Sequence, residues 1–241
     1  MSIFAVTSGK GGVGKSSVSA YTAAALAGLG KRTLLVELGA EPRVLDIIAG
    51  TEKEILFDIS DVAANVCEPL DAIVQTKIDK NLFLLPGAPT ALESFANPED
   101  AEKLLGDLAS CYDCIVADGI DFGVISPNAV DVIINVTMPN SISVRTCAAH
   151  VQMMRARGAE KMMRLVINAV PVNVMPMLGM QDFDDIIDQI GAQLLGVVPH
   201  SPILQYCSNN TKPLDKDSMT ADVFDNIAAR LLGQNRRLLV R

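Results

Sequence analysis

The sequence contains no tryptophan, and only 4% of its 241 residues are aromatic. Proteins that bind single-stranded nucleic acid by stacking need several aromatic side chains on one surface. Basic residues are also outnumbered, with 20 lysines and arginines against 28 aspartates and glutamates, and the net charge is −8. Because nonspecific binding to nucleic acid needs a basic face, this composition argues against a nucleic-acid partner.

Cysteines are few and show no disulfide pattern. The chain has five, an odd number, and they are scattered along it. Cys111 and Cys114 form a C-x-x-C pair, but no second pair or histidine cluster accompanies them, so a metal or redox site is disfavoured. Reduced thiols are the simplest interpretation, and they predict a cytoplasmic protein.

Long apolar runs and targeting signals are also missing. No uninterrupted apolar stretch approaches the roughly 20 residues that are needed to cross a bilayer. The first residues enter a predicted strand directly, without the charged and apolar regions of a secretory signal peptide. Both observations predict a protein of the cytoplasm, with at most a peripheral contact with the membrane.

Hydrophobic residues are abundant, at 49% of the chain, and they alternate between short apolar strands and helical segments. This alternation is typical of an α/β fold with a mostly parallel, twisted sheet and helices on both faces. We expect a single domain over residues 1–241, with about seven to eight strands. The pattern predicts strands at 3–6, 31–37, 82–85, 114–118, 130–137, 164–168 and 194–198, and helices at 16–26, 98–109, 141–157, 183–190 and 220–232.

The most informative stretch links the first predicted strand to the first helix. It matches G-x-x-x-x-G-K-[ST], with Gly9 and Gly14 as the glycines and Lys15-Ser16 after them. Glycines let backbone N–H groups wrap phosphate oxygens, and the helix that follows points its positive dipole end at the same place. Lys15 then supplies a charge for the terminal phosphates, and Ser16 supplies a hydroxyl ligand for Mg²⁺.

A strand, this loop and a helix together predict a P-loop NTPase that binds ATP or ADP with Mg²⁺. A glycine-rich turn without a ligand is the alternative. The residues predicted to hold the phosphates are Gly11, Gly12, Val13, Gly14, Lys15, Ser16 and Ser17.

A second lysine, Lys10, precedes Lys15 by five residues. On a loop wrapped round a phosphate, Lys10 cannot easily reach the nucleotide that Lys15 contacts, but it can reach across a two-fold axis to a nucleotide held by a second subunit. A solvated loop lysine is the alternative. The run K-G-G-V-G-K-S resembles the deviant Walker-A loop of the MinD/ParA ATPases, in which the first lysine contacts the partner's nucleotide. The resemblance implies an ATP-dependent homodimer, with Lys10 and Lys15 in catalytic roles.

The resemblance weakens after the second predicted strand. The family has Asp-x-Asp there, followed by G-L-R-x-L-D, and the run Arg43–Asp46 agrees with that pattern. The first Asp becomes Glu37, and the second, which positions the attacking water in the family, becomes Gly39. Glu37 can still serve in the second shell of Mg²⁺, and Glu41 can either reach the site or remain a solvated loop acid. Because water positioning is much of what phosphoryl transfer asks of a protein, we expect slow or altered hydrolysis.

Asp118 ends the fourth predicted strand, after an apolar run. A carboxylate at the tip of a strand beside the P-loop predicts a Walker-B residue that holds Mg²⁺ directly or through water, with a strand-capping role as the alternative. The family continues Asp-[Ser/Thr]-Pro-x-Gly, whereas this chain has G-I-D-F-G over Gly119–Gly123. Asp121 is therefore a further candidate for binding water or metal. Two divergent loops around an intact phosphate cradle predict a specialised or slow ATPase.

Three residues are predicted to contact the base. Asn168 ends the sixth strand, and a neutral amide offers both a donor and an acceptor for the adenine edge. The family places an adenine-contacting Asn there, and the run Gly196–Pro199 resembles its last strand. Pro199 and His200 are therefore expected to line the adenine pocket. His150, which lies in a predicted helix, is expected to be structural.

The resemblance extends from Ile3 to Gly233 and implies a switch ATPase that dimerises with ATP and Mg²⁺. Its ATP state would recruit a regulatory protein partner, and its task would be spatial regulation, most often division-site placement. A second hypothesis is a nucleotide-binding interaction protein with little hydrolysis. A third, a ParA-like partition ATPase, is disfavoured by the net charge of −8.

The last eight residues, 234–241, bear on contact with membranes. MinD-type proteins end in a short basic amphipathic helix that binds bilayers. Here three arginines flank Leu-Leu-Val, and eight residues make only about two turns of helix. We therefore expect no more than a weak contact with an anionic membrane.

Overall fold

The computed structural model describes residues 1–39, 43–88, 98–123, 125–159, 162–171 and 182–239. Within these ranges the strands are β1 (Ser2–Thr7), β2 (Thr33–Glu37), β3 (Val74–Gln75), β4 (Leu82–Leu85), β5 (Cys114–Asp118), β6 (Val132–Thr137), β7 (Met163–Val170) and β8 (Gln193–Pro199). The α-helices are α1 (Lys15–Gly28), α2 (Leu45–Ala49), α3 (Ile59–Ala63), α4 (Pro98–Ala109), α5 (Ser141–Ala156), α6 (Phe183–Ile190), α7 (Pro202–Asn209) and α8 (Met219–Leu231). Two 3₁₀ turns span Pro69–Ala72 and Pro127–Ala129.

The strands form one sheet in the order β3-β4-β2-β5-β1-β6-β7-β8. Every pair is parallel except β3 with β4. The predicted fold class is therefore confirmed, and all seven predicted strands are present. The sequence pattern missed β3, which has only two residues, and the short helices α2, α3 and α7. α7 begins three residues after Pro199.

Both faces of the sheet are covered by helices. Ile3 and Ala5 of β1 pack into a buried cluster with side chains of α3, α4, α5 and α6. Phe4 and Val6 pack into a second cluster with α1, α2, α7 and α8. Successive side chains of a strand point to opposite faces, and a parallel strand covered on both sides needs apolar residues at every position. This arrangement explains the continuous apolar runs of the sequence.

β1 lies between β5 and β6 at the centre of the sheet. The chain leaves β1 towards β2 on one side and later leaves β5 towards β6 on the other side, so the connections around the carboxyl end of β1 run in opposite directions. In open α/β sheets, ligands bind at such a switch point. The loop between β1 and α1 is therefore placed where the sequence predicts the phosphate site.

The β8 edge of the sheet is covered by α8 and by the residues that follow it. The Arg230 guanidinium donates to the Leu194 carbonyl (3.0 Å), and the Asn226 side-chain amide donates to the Arg237 carbonyl (2.8 Å). Leu239 packs against the cluster that contains α1 and α8. Among the described residues, no helix combines the length and apolar character that a bilayer crossing needs.

The cysteines agree with the expectation of free thiols. All five are unpaired. Cys111 is exposed and Cys114 is buried in β5, where burial raises the pKa of its thiol. A buried thiol in a strand of the central sheet is typical of a small apolar core residue.

Candidate nucleotide-binding site

The phosphate loop, residues 8–14, joins β1 to α1. Gly12 (φ +77°) and Gly14 (φ +89°) adopt left-handed backbone conformations, which favour glycine. Lys15 and Ser16 are the first two residues of α1. The first four N–H groups of a helix have no partner within the helix, so the loop and the helix start present backbone donors at one place.

The phosphate loop is held from two sides by close contacts. The Asn168 side-chain amide donates to the Val13 carbonyl (2.8 Å), and a Cβ atom at Gly14 would lie 2.3 Å from the same amide nitrogen. On the other side, a Cβ atom at Gly9 would lie 2.3 Å from the Thr146 carbonyl oxygen of α5. Side chains at both glycines would collide with these partners, so the glycines allow the loop to fit between β7 and α5.

An irregularity in β7 lies directly beside Asn168. Ala169 has φ +55°, and the register between β7 and β8 shifts between Ile167 and Val170. An alanine in the left-handed region carries a conformational cost, and such bulges commonly redirect a neighbouring side chain at a functional site. The sequence does not signal this feature, because nothing about alanine marks a bulge.

Asp118 joins the end of β5 to the start of α1. The Ser16 hydroxyl donates to its Oδ2 atom (2.7 Å), and the Ser19 hydroxyl donates to its Oδ1 atom (2.6 Å). Asp118 is only 4% exposed. Hydroxyl and carboxylate oxygens are the ligands that Mg²⁺ prefers, so this donor set fits the predicted metal. Ser19 was missed from the sequence, although it lies one helical turn after Ser16 on the same face of α1.

Glu37 is buried at the end of β2, in register with Asp118 of β5. Its Oε1 atom accepts the N–H groups of Val44 (2.8 Å) and Leu45 (3.3 Å), and its Oε2 atom accepts the N–H group of Gly87 (3.2 Å). Burial raises the pKa of Glu37, and these amides oppose the shift. Its carboxylate is therefore directed at backbone amides, and its role near Mg²⁺ stays a prediction. Glu41 lies outside the described residues.

The loop after Asp118 turns sharply at Gly119, which has φ +76°. A Cβ atom at Gly119 would lie 2.6 Å from the Gly39 Cα atom, so the backbones of the two divergent loops touch. The loop is anchored by Phe122, which is fully buried. Asp121 caps its own loop by accepting the Gly123 N–H group (2.7 Å). The carboxylate expected to bind water or metal is thus engaged locally.

A family model described as the CobQ/CobB/MinD/ParA nucleotide binding domain matches residues 4–214. The chain belongs to this family. Its predicted membership, like its predicted fold, is confirmed. A nucleotide is therefore the ligand class of the phosphate loop.

Curated relatives within the family are named as MinD. The chain is 33% identical over 244 aligned positions to the septum site-determining protein MinD of Bacillus subtilis (strain 168), covering 98% of this chain and 90% of the relative. It is 34% identical to the septum site-determining protein MinD of Synechocystis sp., covering 97% and 90%. The similarity therefore spans nearly the whole length of both proteins, as a MinD-like protein requires.

Solved structures of the family superpose closely. A chain of the MinC:MinD cell division protein complex of Aquifex aeolicus gives a TM-score of 0.89 at 28% identity, covering 100% of this chain and 99% of that one. The septum site-determining protein MinD complexed with Mg-ADP from Pyrococcus horikoshii OT3 gives 0.80 at 23% identity, covering 95% of each. The second likeness shows the shared fold.

Lys10, the residue that distinguishes the MinD/ParA loop, is exposed. The Ser8 hydroxyl donates to the Lys10 carbonyl (2.7 Å), which fixes the backbone of this turn. The Lys10 side chain is accessible from solvent. Its contact with a partner's nucleotide stays a prediction.

The residues predicted to line the adenine pocket meet at one edge of the sheet, but they face different surroundings. Pro199 ends β8 in register with Val170, two residues after Asn168. Pro199 is buried and lines a small cleft together with Met219 and Asp222 of α8. His200 is exposed, and its N–H group donates to the Val170 carbonyl (2.7 Å). Asn168 instead contacts the phosphate loop.

His150 links α5 to the strand that leads into the phosphate loop. Its Nε2 atom lies 3.1 Å from the Thr7 hydroxyl oxygen. Burial lowers the pKa of His150, and the nearby Asp121 carboxylate partly offsets that shift. A neutral histidine packed against β1 agrees with the expected structural role.

Proposed function

We propose that this protein is an ATP-driven switch of the MinD type that acts in division-site placement. The observation that carries the proposal is the phosphate loop, which has both lysines and the serine of the family motif and lies beside Asp118. The MinD relatives named above support it, because they match this chain over almost its full length.

In this proposal ATP and Mg²⁺ are held by the residues that the sequence predicts. The glycine backbone and the start of α1 bind the phosphates, and Lys15 adds a positive charge. Ser16 and Asp118 would hold Mg²⁺, and that ion would supply positive charge to offset the phosphates. Ser19 orients Asp118 through the bond to its second oxygen.

We infer an ATP-dependent homodimer in which Lys10 reaches the nucleotide of the second subunit. Its exposure at the loop tip supports this role. A regulatory protein partner is also proposed, because a structural relative is a MinC:MinD complex. Recruitment of a partner by the ATP state would make the protein a switch.

The same observations also support a nucleotide-binding interaction protein with little turnover. Gly39 has no side chain to orient water, and Asp121 is engaged with its own loop. A ParA-like partition role is weaker, because the net charge is −8 and a ParA family ATPase of Chlorobium tepidum shares only 20% identity.

Steady-state ATP turnover with Mg²⁺ tests the proposal, with molecular mass in solution recorded in the same samples. For the native chain we expect turnover and an ATP-dependent doubling of mass, and Lys10→Ala should lose both. Lys80→Ala is the control, because this exposed lysine lies just before β4, at the amino end of that strand and away from the phosphate loop. Binding without turnover, at a mass that ATP leaves unchanged, would favour the interaction protein.

Gly39→Asp separates the two hypotheses further. A positioned general base contributes about 10²–10⁴-fold to many reactions, so restoring the family's acid should raise turnover by at least about tenfold. An unchanged rate in a variant that still binds Mg-ADP would show that the missing carboxylate does not limit hydrolysis.

Contact of the C-terminal residues with an anionic membrane stays a prediction. Leu239 packs beside α8, while Leu238 is 36% exposed. Sedimentation with anionic vesicles, with and without ATP, measures this contact. We expect weak binding that increases with ATP, because dimerisation doubles the number of apolar and basic contacts.

A further inference from the structure

Glu37 bonds to two separate segments of the chain. Its Oε1 atom accepts the N–H groups of Val44 and Leu45, at the start of α2, and its Oε2 atom accepts the N–H group of Gly87, just after β4. The carboxylate is 4% exposed. Hydrogen bonds to an ionised, buried acceptor are among the stronger ones in proteins.

The first set of bonds ties the end of β2 to the start of α2. Glu37 is the last residue of β2, and its side chain holds the backbone of Val44 and Leu45. Val44 is the residue before α2, and its side chain has no hydrogen-bonding group to cap that helix. Glu37 therefore provides the cap from seven residues upstream and sets the distance between these two elements.

The second bond draws in the segment after β4. A Cβ atom at Gly87 would lie 3.0 Å from the Glu37 Cγ atom, so the glycine allows a close approach. The preceding Pro86 carbonyl accepts the N–H group of Ile59, the first residue of α3. The segment Pro86–Ala88 is thereby fixed between Glu37 and α3.

The length of the glutamate side chain matters for this arrangement. An aspartate at position 37 would place its carboxylate about 1.5 Å closer to the strand. The bonds to Leu45 and Gly87 are already 3.3 and 3.2 Å long. A shorter acid would keep its charge but could not reach both segments.

We propose that Glu37 is a positioning residue that ties the start of α2 and the segment Pro86–Ala88 into one unit at the end of β2, beside the phosphate site. This inference rests on the proposed function for its effect on turnover, but the coupling itself does not depend on it. The distance between the end of β2 and the start of α2 is then set by the reach of Glu37.

Hydrogen exchange of the whole chain, followed by mass spectrometry, tests the coupling without requiring turnover. In Glu37→Gln the side-chain NH₂ group faces a backbone donor, and in Glu37→Asp the acid is too short. Both variants should exchange at least about tenfold faster at Val44–Leu45 and also at Gly87, since each loses a charge-assisted bond. Exchange in β5 should not change.

Gly87→Ala tests the same unit from its other end and leaves the acid in place. Its added methyl group would press on the Glu37 Cγ atom. We expect faster exchange at Val44 and Leu45, which are distant in sequence. Faster exchange confined to residues around position 87 would overturn the proposal, as would unchanged exchange at either segment in Glu37→Gln.

Asp131→Asn is the matched control. The Asp131 Oδ2 atom also accepts a backbone N–H group from another segment, that of Ile3 (2.8 Å). This bond lies at the amino ends of the central strands, away from the phosphate site. Its exchange effect should stay at the start of β1. In an active enzyme, the Glu37 variants should lower kcat about tenfold and change KM by less than about twofold, whereas Asp131→Asn should change neither. If Asp131→Asn lost as much kcat as the Glu37 variants, the role of Glu37 would be a general structural one.

Discussion

The phosphate loop and the two loops that face it are stabilised in different ways. Contacts from outside hold the phosphate loop, through Asn168 and the backbone of α5. The segments that face it use their own side chains Glu37, Asp121 and Phe122, and the Arg157 guanidinium also donates to the Gly123 carbonyl (2.9 Å). Outside partners fix the phosphate loop through its backbone, whereas the acids Glu37 and Asp121 fix the facing segments through hydrogen bonds to backbone amides.

The largest effect is expected from Phe122→Ala, which removes the buried anchor of the second facing loop. Phe122 is fully buried, so the cavity should lower the free energy of unfolding by about 3–5 kcal/mol. Urea unfolding measures this loss, with Leu56→Ala, at an 86% exposed site, as a control near zero. If the two regions are stabilised separately, affinity for Mg-ADP should change little. A joint loss of affinity and stability at temperatures where the variant is folded would break the comparison.

Asn168→Ala should do the reverse by removing support from the phosphate loop. The Val13 carbonyl would lose its buried donor, at a cost of about 1–3 kcal/mol. We expect weaker binding of Mg-ADP in calorimetric titration, by about tenfold or more. Asn128→Ala changes an exposed amide after the facing loop and should leave affinity unchanged. Native affinity in Asn168→Ala would mean that the loop holds its shape unaided.

Gly119→Ala measures the contact between the facing loops. A left-handed backbone costs an alanine about 1–2 kcal/mol, and the new methyl group would also collide with the backbone at Gly39. Gly158→Ala is a matched control, because Gly158 has φ +87° and a Cβ atom there meets no atom within 4 Å. The difference in unfolding free energy between the two variants therefore isolates the collision. Equal losses would show that the loops separate at little cost.

His150→Gln is expected to have the smallest effect, and only below neutral pH. Because the folded state lowers the pKa of His150 below the usual 6.5, the unfolded chain binds this proton more readily. Stability from the neutral ring is present above about pH 6.5 and is lost as pH falls towards the lower folded pKa. The variant should flatten this part of the pH–stability curve by less than about 1 kcal/mol. Parallel curves for the two proteins would contradict the lowered pKa.

Sequence patterns predicted what is encoded by neighbouring residues. The phosphate loop lies within one short run, and its spacing identifies Lys15 and Ser16 directly. The parallel sheet followed from apolar runs that both faces of the sheet require. Asp118 was identified because it ends such a run, and its bond to Ser16 agrees with a shared metal site.

The features that the sequence did not predict depend on backbone groups, which are the same for almost every residue type. Glu37 contacts backbone amides of Val44 and Gly87, which any residue there would present. The bulge at Ala169 leaves no mark in composition, and β3 is too short for a periodic pattern. Two residues predicted to contact the base have different surroundings, since Pro199 lines a cleft with α8 while Asn168 bonds to the phosphate loop, and their contact with adenine stays a prediction.

The contact between Gly39 and Gly119 has a consequence for how this lineage can change. A side chain at position 119 requires the backbone at position 39 to move first. The two sites are therefore expected to be epistatic, with substitutions whose effects do not add. Other family members carry a serine or threonine after the Walker-B aspartate. In this chain such a substitution at Gly119 is expected to need an earlier change that moves the backbone at Gly39.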